Sequence, residues 1–274
     1  MILLACVYMN SKNNLSHIDY ITGNKFKNFC HYYFDGNNLI CNKSYNNNDI
    51  LNIFIKTDFI DLFFENFQFN RKIIIFTHNS DYSINANHIK YLNIKNIIAW
   101  YGQNINIIHP KLKSIPIGIA NEEWLHGDIN TINSIHNKNF EKINLIYANF
   151  NVNTNFNERN FCKNCLAKHN ITLSEPLIFD KYLLNLAQSY FSISPNGNGI
   201  DCHKTWESLY LKTIPIVTKS INSIQYSHFP IIILNSWNEF NPKDFSIDLY
   251  NDMCYNIDFD QLNFTNYVSS LLYA

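Results

Sequence analysis

The sequence lacks the features that mark several broad classes of protein. Its 21 lysines and arginines are balanced by 22 aspartates and glutamates, so it lacks the basic surplus of a dedicated nucleic-acid-binding protein. It also lacks an uninterrupted apolar run of about 18 residues, the length that a membrane span requires. Glycine, alanine and arginine are scarce. We therefore expect no nucleic-acid partner and no segment that crosses a membrane.

The cysteines and the N-terminal residues indicate a reducing compartment. The seven cysteines form no regular framework, and the pair Cys162 and Cys165 lacks the second pair that would complete a zinc site. Free thiols are the rule in reducing compartments. The apolar residues 2–9 lack the basic flank of a signal peptide and are predicted to form a buried strand. The expected location is cytoplasmic.

Strands alternate with helices along the chain, and this order predicts an α/β fold with parallel sheets. Hydrophobic residues make up 46% of the chain, which is ample for a core. The predicted strands are residues 2–9, 52–56, 72–77, 97–100, 115–119, 143–148, 190–194, 214–218 and 230–234. The predicted helices are residues 58–67, 86–92, 122–126, 130–138, 156–169, 179–189, 201–213, 221–226, 242–254 and 260–272. Residues 10–50 are polar, with an ambiguous period at 26–34, and a composition shift near residue 125 divides the chain into 1–125 and 126–274.

The stretch from Tyr190 to Val217 has the clearest local pattern. An alternating strand ends at Pro195, and residues 196–199, Asn-Gly-Asn-Gly, tolerate the positive φ angles of a sharp turn. The carboxylate of Asp201 can then accept hydrogen bonds from the first turn of a helix. The stretch therefore predicts a strand, a tight loop and a capped helix, followed by another strand.

Three ionisable residues begin that helix. His203 and Glu207 are four residues apart on one strip, and Lys204 lies three before Glu207. Ligands bind at the carboxyl ends of parallel strands, and helix N-termini attract phosphate. We expect a diphosphate over the turn, neutralised by His203 and Lys204, with Glu207 accepting a ribose hydroxyl. The alternative is a solvated first turn with an ordinary salt bridge between Lys204 and Glu207.

The run Phe191–Val217, FSISPNGNGIDCHKTWESLYLKTIPIV, resembles the exostosin-like glycosyltransferases, most closely the short forms of large DNA viruses and some protists. The dense match covers about a tenth of the chain. The resemblance implies a GT-B-like fold, in which two Rossmann-like α/β/α domains enclose a cleft. It makes residues 1–125 the acceptor side and residues 126–274 the nucleotide-sugar-binding domain, with the last helix crossing back to the first domain.

The resemblance also implies roles for residues outside the motif. An exit-loop Asn149 and a helical Arg159 belong to the family's donor site. The planar guanidinium fork of Arg159 can hold a phosphate with two parallel hydrogen bonds. An ordinary surface arginine is an equal alternative. The implied nucleotide-sugar-binding set is Asn149, Arg159, Asn198, Gly199, Asp201, His203, Lys204 and Glu207. Lys204 stands where arginine is common, so the charge is kept but the fork is lost.

The catalytic base is expected on the other half of the chain. The buried strand 72–77 runs into residues 78–81, His-Asn-Ser-Asp, which resemble the acceptor-side loop of the same family. Asp81 is the first candidate for the base and His78 the second. The alternative is a turn in which these side chains cap the next helix.

The chemistry expected from these residues is sugar transfer from a nucleotide sugar, linked to UDP or GDP, to a hydroxyl of a glycan or glycoprotein. Residues 258–260 match the Asp-x-Asp metal motif only in letters, so a divalent ion could accompany the diphosphate but would not be held by the protein. The first alternative is a catalytically silent sugar- or nucleotide-binding protein on the same fold. An oxidoreductase is disfavoured because the loop lacks the third glycine of the dinucleotide motif.

Overall fold

The computed structural model describes residues 18–46, 50–255 and 259–273, so the predicted strand 2–9 and Asp258 lie outside the described residues. The described chain is α/β, as the alternating pattern predicts. Its strands are β1 Tyr32–Phe34, β2 Leu39–Cys41, β3 Leu51–Lys56, β4 Ile73–His78, β5 Ile97–Gly102, β6 Leu112–Ser114, β7 Asn144–Tyr147, β8 Ser189–Ile193, β9 Ile214–Thr218 and β10 Ile232–Leu234. Its α-helices are α1 Gly23–Phe29, α2 Ile60–Asn66, α3 Ile89–Leu92, α4 Ile129–His136, α5 Phe156–Ala167, α6 Phe179–Ala187, α7 His203–Tyr210, α8 Ile221–Gln225, α9 Ile247–Tyr255 and α10 Phe264–Tyr273.

The first half of the chain builds a six-stranded sheet in the order β2-β1-β3-β4-β5-β6. Only the β1–β2 pair is antiparallel; β3 to β6 add in parallel. Every residue of β4 is buried, because a central parallel strand is covered on both faces. The carboxyl ends of β4 and β5 therefore deliver the polar residues that follow them to one edge of the sheet.

The second half builds a four-stranded parallel sheet in the order β10-β9-β8-β7. Helix α7 connects β8 to β9 and buries Trp206 and Leu209 completely. Those two side chains share one apolar core with Phe76 and Tyr101 of the six-stranded sheet. The two sheets therefore pack through a common core, and the loops at their carboxyl ends contact one another.

The C-terminal helix contacts the six-stranded sheet. The ring of Phe264 lies 5.1 Å from that of Phe26, and the hydroxyl of Tyr101 donates to the carbonyl of Leu271 over 2.7 Å. Over the ranges given above, no helix combines the length and apolar character needed to traverse a bilayer.

The polar region 10–50, whose period is ambiguous at 26–34, contains α1 and the short antiparallel pair of β1 and β2. Two predicted elements are wrong. The helix predicted at 122–126 is a turn that leads into the 3₁₀ turn Leu125–Gly127, and the predicted strand 115–119 is irregular, while its neighbour β6 pairs with β5. Pro116 has no N–H to give to a sheet, and Gly118 has a φ of 67°. The N–H groups of Ile117 and Ile119 instead donate to the Asp201 carboxylate and the carbonyl of Ile21.

Candidate functional site

Helix α5 holds one side of the loop that follows β8. The Asn155 amide donates to the carbonyl of Gly197 over 2.9 Å, and Arg159 Nε donates to the carbonyl of Asn196 over 2.8 Å. The Glu158 carboxylate accepts from the Asn196 N–H and from the Thr218 hydroxyl. The first turns of α5 therefore fix the loop at the carboxyl end of β8.

The exit loop of β5 holds the other side. The Asp201 N–H donates to Asn104 Oδ1 over 2.9 Å, and a Cβ on Gly199 would lie 2.4 Å from Asn104 Nδ2. Gly199 is therefore required for close approach rather than for turn geometry. The predicted positive φ is wrong, because neither Gly197 nor Gly199 adopts one.

Asp201 does not cap α7 in the predicted way. The helix begins after Cys202, whose side chain makes no capping bond, so the first-turn N–H groups have no side-chain cap. The Asp201 carboxylate accepts instead from the Ile117 N–H, the Cys202 N–H and Trp206 Nε1. Burial raises the pKa of Asp201 to about 7, and these three donors oppose that rise. Asp201 therefore joins the loop to the exit of the six-stranded sheet.

Glu207 is buried and its neighbour Lys204 is half-buried, and the two form no direct ion pair among the described side chains. Lys204 Nζ donates to the carbonyl of Asn149 over 2.8 Å and lies 5.0 Å from the ring centre of Tyr147. The hydroxyl of Tyr182 donates to Glu207 Oε2 over 2.6 Å. Burial lowers the pKa of Lys204 to about 7 and raises that of Glu207 to about 7. The solvated salt bridge considered from the sequence is therefore not what these residues form.

Arg159 is a half-buried residue of the loop rather than an ordinary surface arginine. Its Nη1 donates to the carbonyl of Asn151 over 2.9 Å, in addition to the Nε contact with Asn196. Its Nη2 has no hydrogen-bond partner among the described residues and lies 3.5 Å from the position of a Cβ on Gly197. Burial lowers the pKa of Arg159. Nη2 can therefore still donate to a ligand at the loop.

His203 does not supply the positive charge predicted for it. Its Nδ1–H donates to the carbonyl of Gly118 over 2.8 Å, and burial lowers the pKa of the ring to about 4. The ring is neutral at pH 7, so Nε2 carries a lone pair. Nε2 has no hydrogen-bond partner among the described residues, and it is not fully buried. It is therefore available to accept a hydrogen bond.

The two residues predicted as catalytic bases differ in position. His78 is buried; its Nε2–H donates to the carbonyl of Pro116, and its Nδ1 accepts from the Asn79 N–H. Burial lowers the pKa of His78 to about 4. Asp81 is exposed, and its carboxylate accepts from the amide of Asn198 over 3.3 Å. Of these two candidates, Asp81 is the one that is open to solvent, and it lies beside the loop that follows β8.

Sequence reasoning missed two tyrosines that complete the site. Tyr182 binds Glu207, and the buried hydroxyl of Tyr147 has no partner among the described residues. Both have the spacing of ordinary core residues, so no local pattern distinguishes them.

Within the described ranges, no group of three histidine, cysteine or acidic side chains is placed to hold a metal ion. Asp258, the first residue of the Asp-x-Asp match at 258–260, lies outside those ranges.

A scan against models of protein families found none that matches this chain, and a search of curated proteins found no significant match. A function for the chain must therefore follow from the contacts and charges of the site itself.

Proposed function

We propose that the protein is a glycosyltransferase that moves a sugar from a UDP- or GDP-linked donor to a hydroxyl of a glycan or glycoprotein acceptor, without a metal ion held by the protein. In this proposal the fold is GT-B-like, with residues 1–125 as the acceptor-side domain and 126–274 as the donor-binding domain. The support for it is the meeting of loops from the carboxyl ends of both parallel sheets, where ligands of α/β proteins bind.

One observation carries the proposal. The half-buried Lys204 and the buried Glu207 lie near each other at the carboxyl edge of the four-stranded sheet, and removal from water shifts the pKa of each to about 7. Burying two ionisable groups that do not form a direct ion pair costs stability. Such pairs are concentrated at sites where a ligand or a reaction uses the charge. A nucleoside diphosphate supplies the missing anionic partner for the lysine, and its ribose supplies a hydroxyl for the glutamate.

The donor half gives each part of a nucleotide sugar a partner. In this proposal the start of α7, which no side chain caps, contacts the diphosphate together with Lys204 and Arg159 Nη2. These groups stabilise the charge that develops as the sugar–phosphate bond breaks. Glu207, held by Tyr182, accepts from the ribose. Asn149 acts through its carbonyl, which positions the ammonium of Lys204.

The acceptor half supplies the base. Asp81 removes the proton from the attacking hydroxyl, and Nε2 of His203 accepts a hydrogen bond that orients the acceptor. Asn198 links Asp81 to the glycine loop across the two halves. His78 is not given a catalytic role here, because both of its ring nitrogens are engaged by the backbone.

The test is release of UDP or GDP from a panel of nucleotide sugars, with and without acceptor glycans. Wild type should release nucleotide, and Glu207→Gln should lose most of that activity while unfolding at nearly the same urea concentration. Lys181→Met, which removes an exposed lysine from α6, is the matched control and should retain activity. Binding without turnover would support a catalytically silent binding protein instead.

A further inference from the structure

One tryptophan differs from the other three. Trp100, Trp206 and Trp237 are buried to 1% exposure or less, whereas Trp124 is 59% exposed. All four tryptophans lie in the described part of the chain. Leu125, the next residue, is 96% exposed. An aromatic ring left in water gains no burial energy, and two neighbouring exposed apolar side chains form a patch of the kind that binds a partner.

The turn that carries Trp124 is held in place by many contacts. The Trp124 N–H donates to the carbonyl of Asn121, and the Gly127 N–H donates back to the carbonyl of Trp124. The side chain of Asn121 accepts from the Asn24 N–H and donates to Asn79. A Cβ on Gly127 would lie 2.0 Å from the carbonyl oxygen of Asn121, so only glycine fits there. The ring is therefore presented on a preformed surface.

This surface adjoins the acceptor side of the candidate site. The ring of His126 stacks beside Trp124 at 6.3 Å and 27°, and it lies 6.1 Å from the ring of His203. Burial lowers the pKa of His203, and the Asp81 carboxylate lies close enough to oppose that fall. The line from Trp124 through His126 to His203 therefore ends at the groups proposed to receive the attacking hydroxyl.

We infer that Trp124 is a stacking platform for a sugar ring of the acceptor, which makes the acceptor a glycan rather than a small alcohol. A pyranose has a face of C–H groups that packs on an aromatic ring and a rim of hydroxyls that needs hydrogen bonds. The ring of His126 lies beside Trp124 and supplies such a partner. The carboxylate of Glu123, the residue before Trp124, accepts from the Asn24 amide, and these two polar groups border the same turn. Binding sites commonly combine an aromatic surface with a few polar groups in this way. The inference rests on the proposed function.

The experiment combines an oligosaccharide array with fluorescence. The full chain is applied to the array, and the best-bound oligosaccharide is titrated while acrylamide quenches tryptophan emission. Only Trp124 is well exposed, so protection of the quenchable emission reports on that ring. Wild type should be protected, and Trp124→Ala should weaken array binding about tenfold, the loss usual for an aromatic anchor. Ile108→Ala, which removes an exposed apolar side chain from the connection between β5 and β6, is the control and should bind as wild type does.

The inference is overturned if no oligosaccharide binds, if binding leaves the quenching unchanged, or if Trp124→Ala binds as well as wild type. Donor binding separates this failure from failure of the proposed function. If the glycan experiments fail but nucleotide sugars stabilise Trp124→Ala and wild type equally, the proposed donor site is supported and only the stacking platform is rejected. If Trp124-dependent glycan binding occurs and no nucleotide sugar binds, the platform stands and the transferase assignment fails.

Discussion

The carboxyl edges of the two sheets use polar residues differently. At the six-stranded sheet, Thr77 accepts from Trp100 Nε1, and His78 is held by backbone groups on both ring nitrogens. At the four-stranded sheet, the half-buried Lys204 and the buried Glu207 both have strongly shifted pKa values. At the first edge, Thr77 and His78 are held by hydrogen bonds within the protein, whereas Asp81 is exposed. The second edge holds a lysine and a glutamate with no direct ion pair between them, which is what the proposed donor site needs.

The largest expected effect comes from Asp81→Asn. Removing a general base costs about 10²- to 10⁴-fold in rate, so kcat for transfer should fall by at least a hundredfold. The KM for the donor should stay unchanged, because Asp81 belongs to the acceptor side. Steady-state kinetics with the donor varied checks this. His78→Gln is the informative companion: it should lower the melting temperature, because His78 is buried, without the loss in kcat. A larger loss of kcat in His78→Gln than in Asp81→Asn would make His78 the base and contradict the role given to Asp81.

Asp201→Asn should have the next largest effect, and it acts on stability. Three N–H groups donate to the carboxylate, and an amide would direct its own NH₂ group against at least one of them. Leaving a buried donor unsatisfied in a charged network costs about 3 kcal/mol in the free energy of unfolding. Urea unfolding measures it. The control Asp180→Asn changes an exposed carboxylate and should stay within about 0.5 kcal/mol of wild type. Equal stability of Asp201→Asn and Asp180→Asn would show that Asp201 does not join the two sheets.

Donor affinity should depend on pH near 7. Lys204 has a pKa of about 7 in the free protein, and a bound diphosphate favours its protonated form, so affinity should fall as pH rises above 7. Glu207 loses its charge as pH falls below 7 and then accepts more weakly from the ribose. Calorimetric titration with UDP and GDP across pH 5.5–8.5 should show the maximum near pH 7. In Lys204→Met the alkaline decline should disappear and affinity should drop about tenfold, the loss of one charge-assisted hydrogen bond. An unchanged alkaline decline in that variant would assign it to another group.

The smallest effect should come from Asn198→Ala. Its exposed hydrogen bond to Asp81 spans 3.3 Å, and such a bond contributes at most about 0.5 kcal/mol to stability. Thermal unfolding should therefore barely change, whereas kcat should fall modestly because Asp81 loses the contact that orients it. A loss of stability as large as that of Asp201→Asn would mean that the loop depends on this contact for its fold.

The sequence predicts the parts of this molecule that are set by local pattern. The buried run at β4 and the strand, loop and helix from Tyr190 lie where the pattern places them. The strand predicted at 115–119 fails because its N–H groups are claimed by Asp201 and Ile21, which are distant in sequence. The short antiparallel strands β1 and β2 have three residues each, too few for a period to be visible.

The candidate site was predictable in its residue types but not in its charges. The spacing of His203, Lys204 and Glu207 indicates a site on α7, yet the neutral state of His203 depends on burial and on the carbonyl of Gly118. Tyr147 and Tyr182 join the site from other elements, and each reads locally as a core residue. The protonation states follow from tertiary contacts that no local pattern contains.

The most direct test of the donor site is a thermal-shift panel of UDP, GDP and their sugars on wild type and Lys204→Met. A ligand at a hundredfold excess over its Kd stabilises the folded protein by about 2.7 kcal/mol. For a chain of this size that raises the melting temperature of wild type by roughly 5 °C or more. We predict such a shift for at least one nucleotide sugar, and a much smaller shift for Lys204→Met. If none of these compounds stabilises wild type, the edge around Lys204 and Glu207 is not a nucleotide-sugar site.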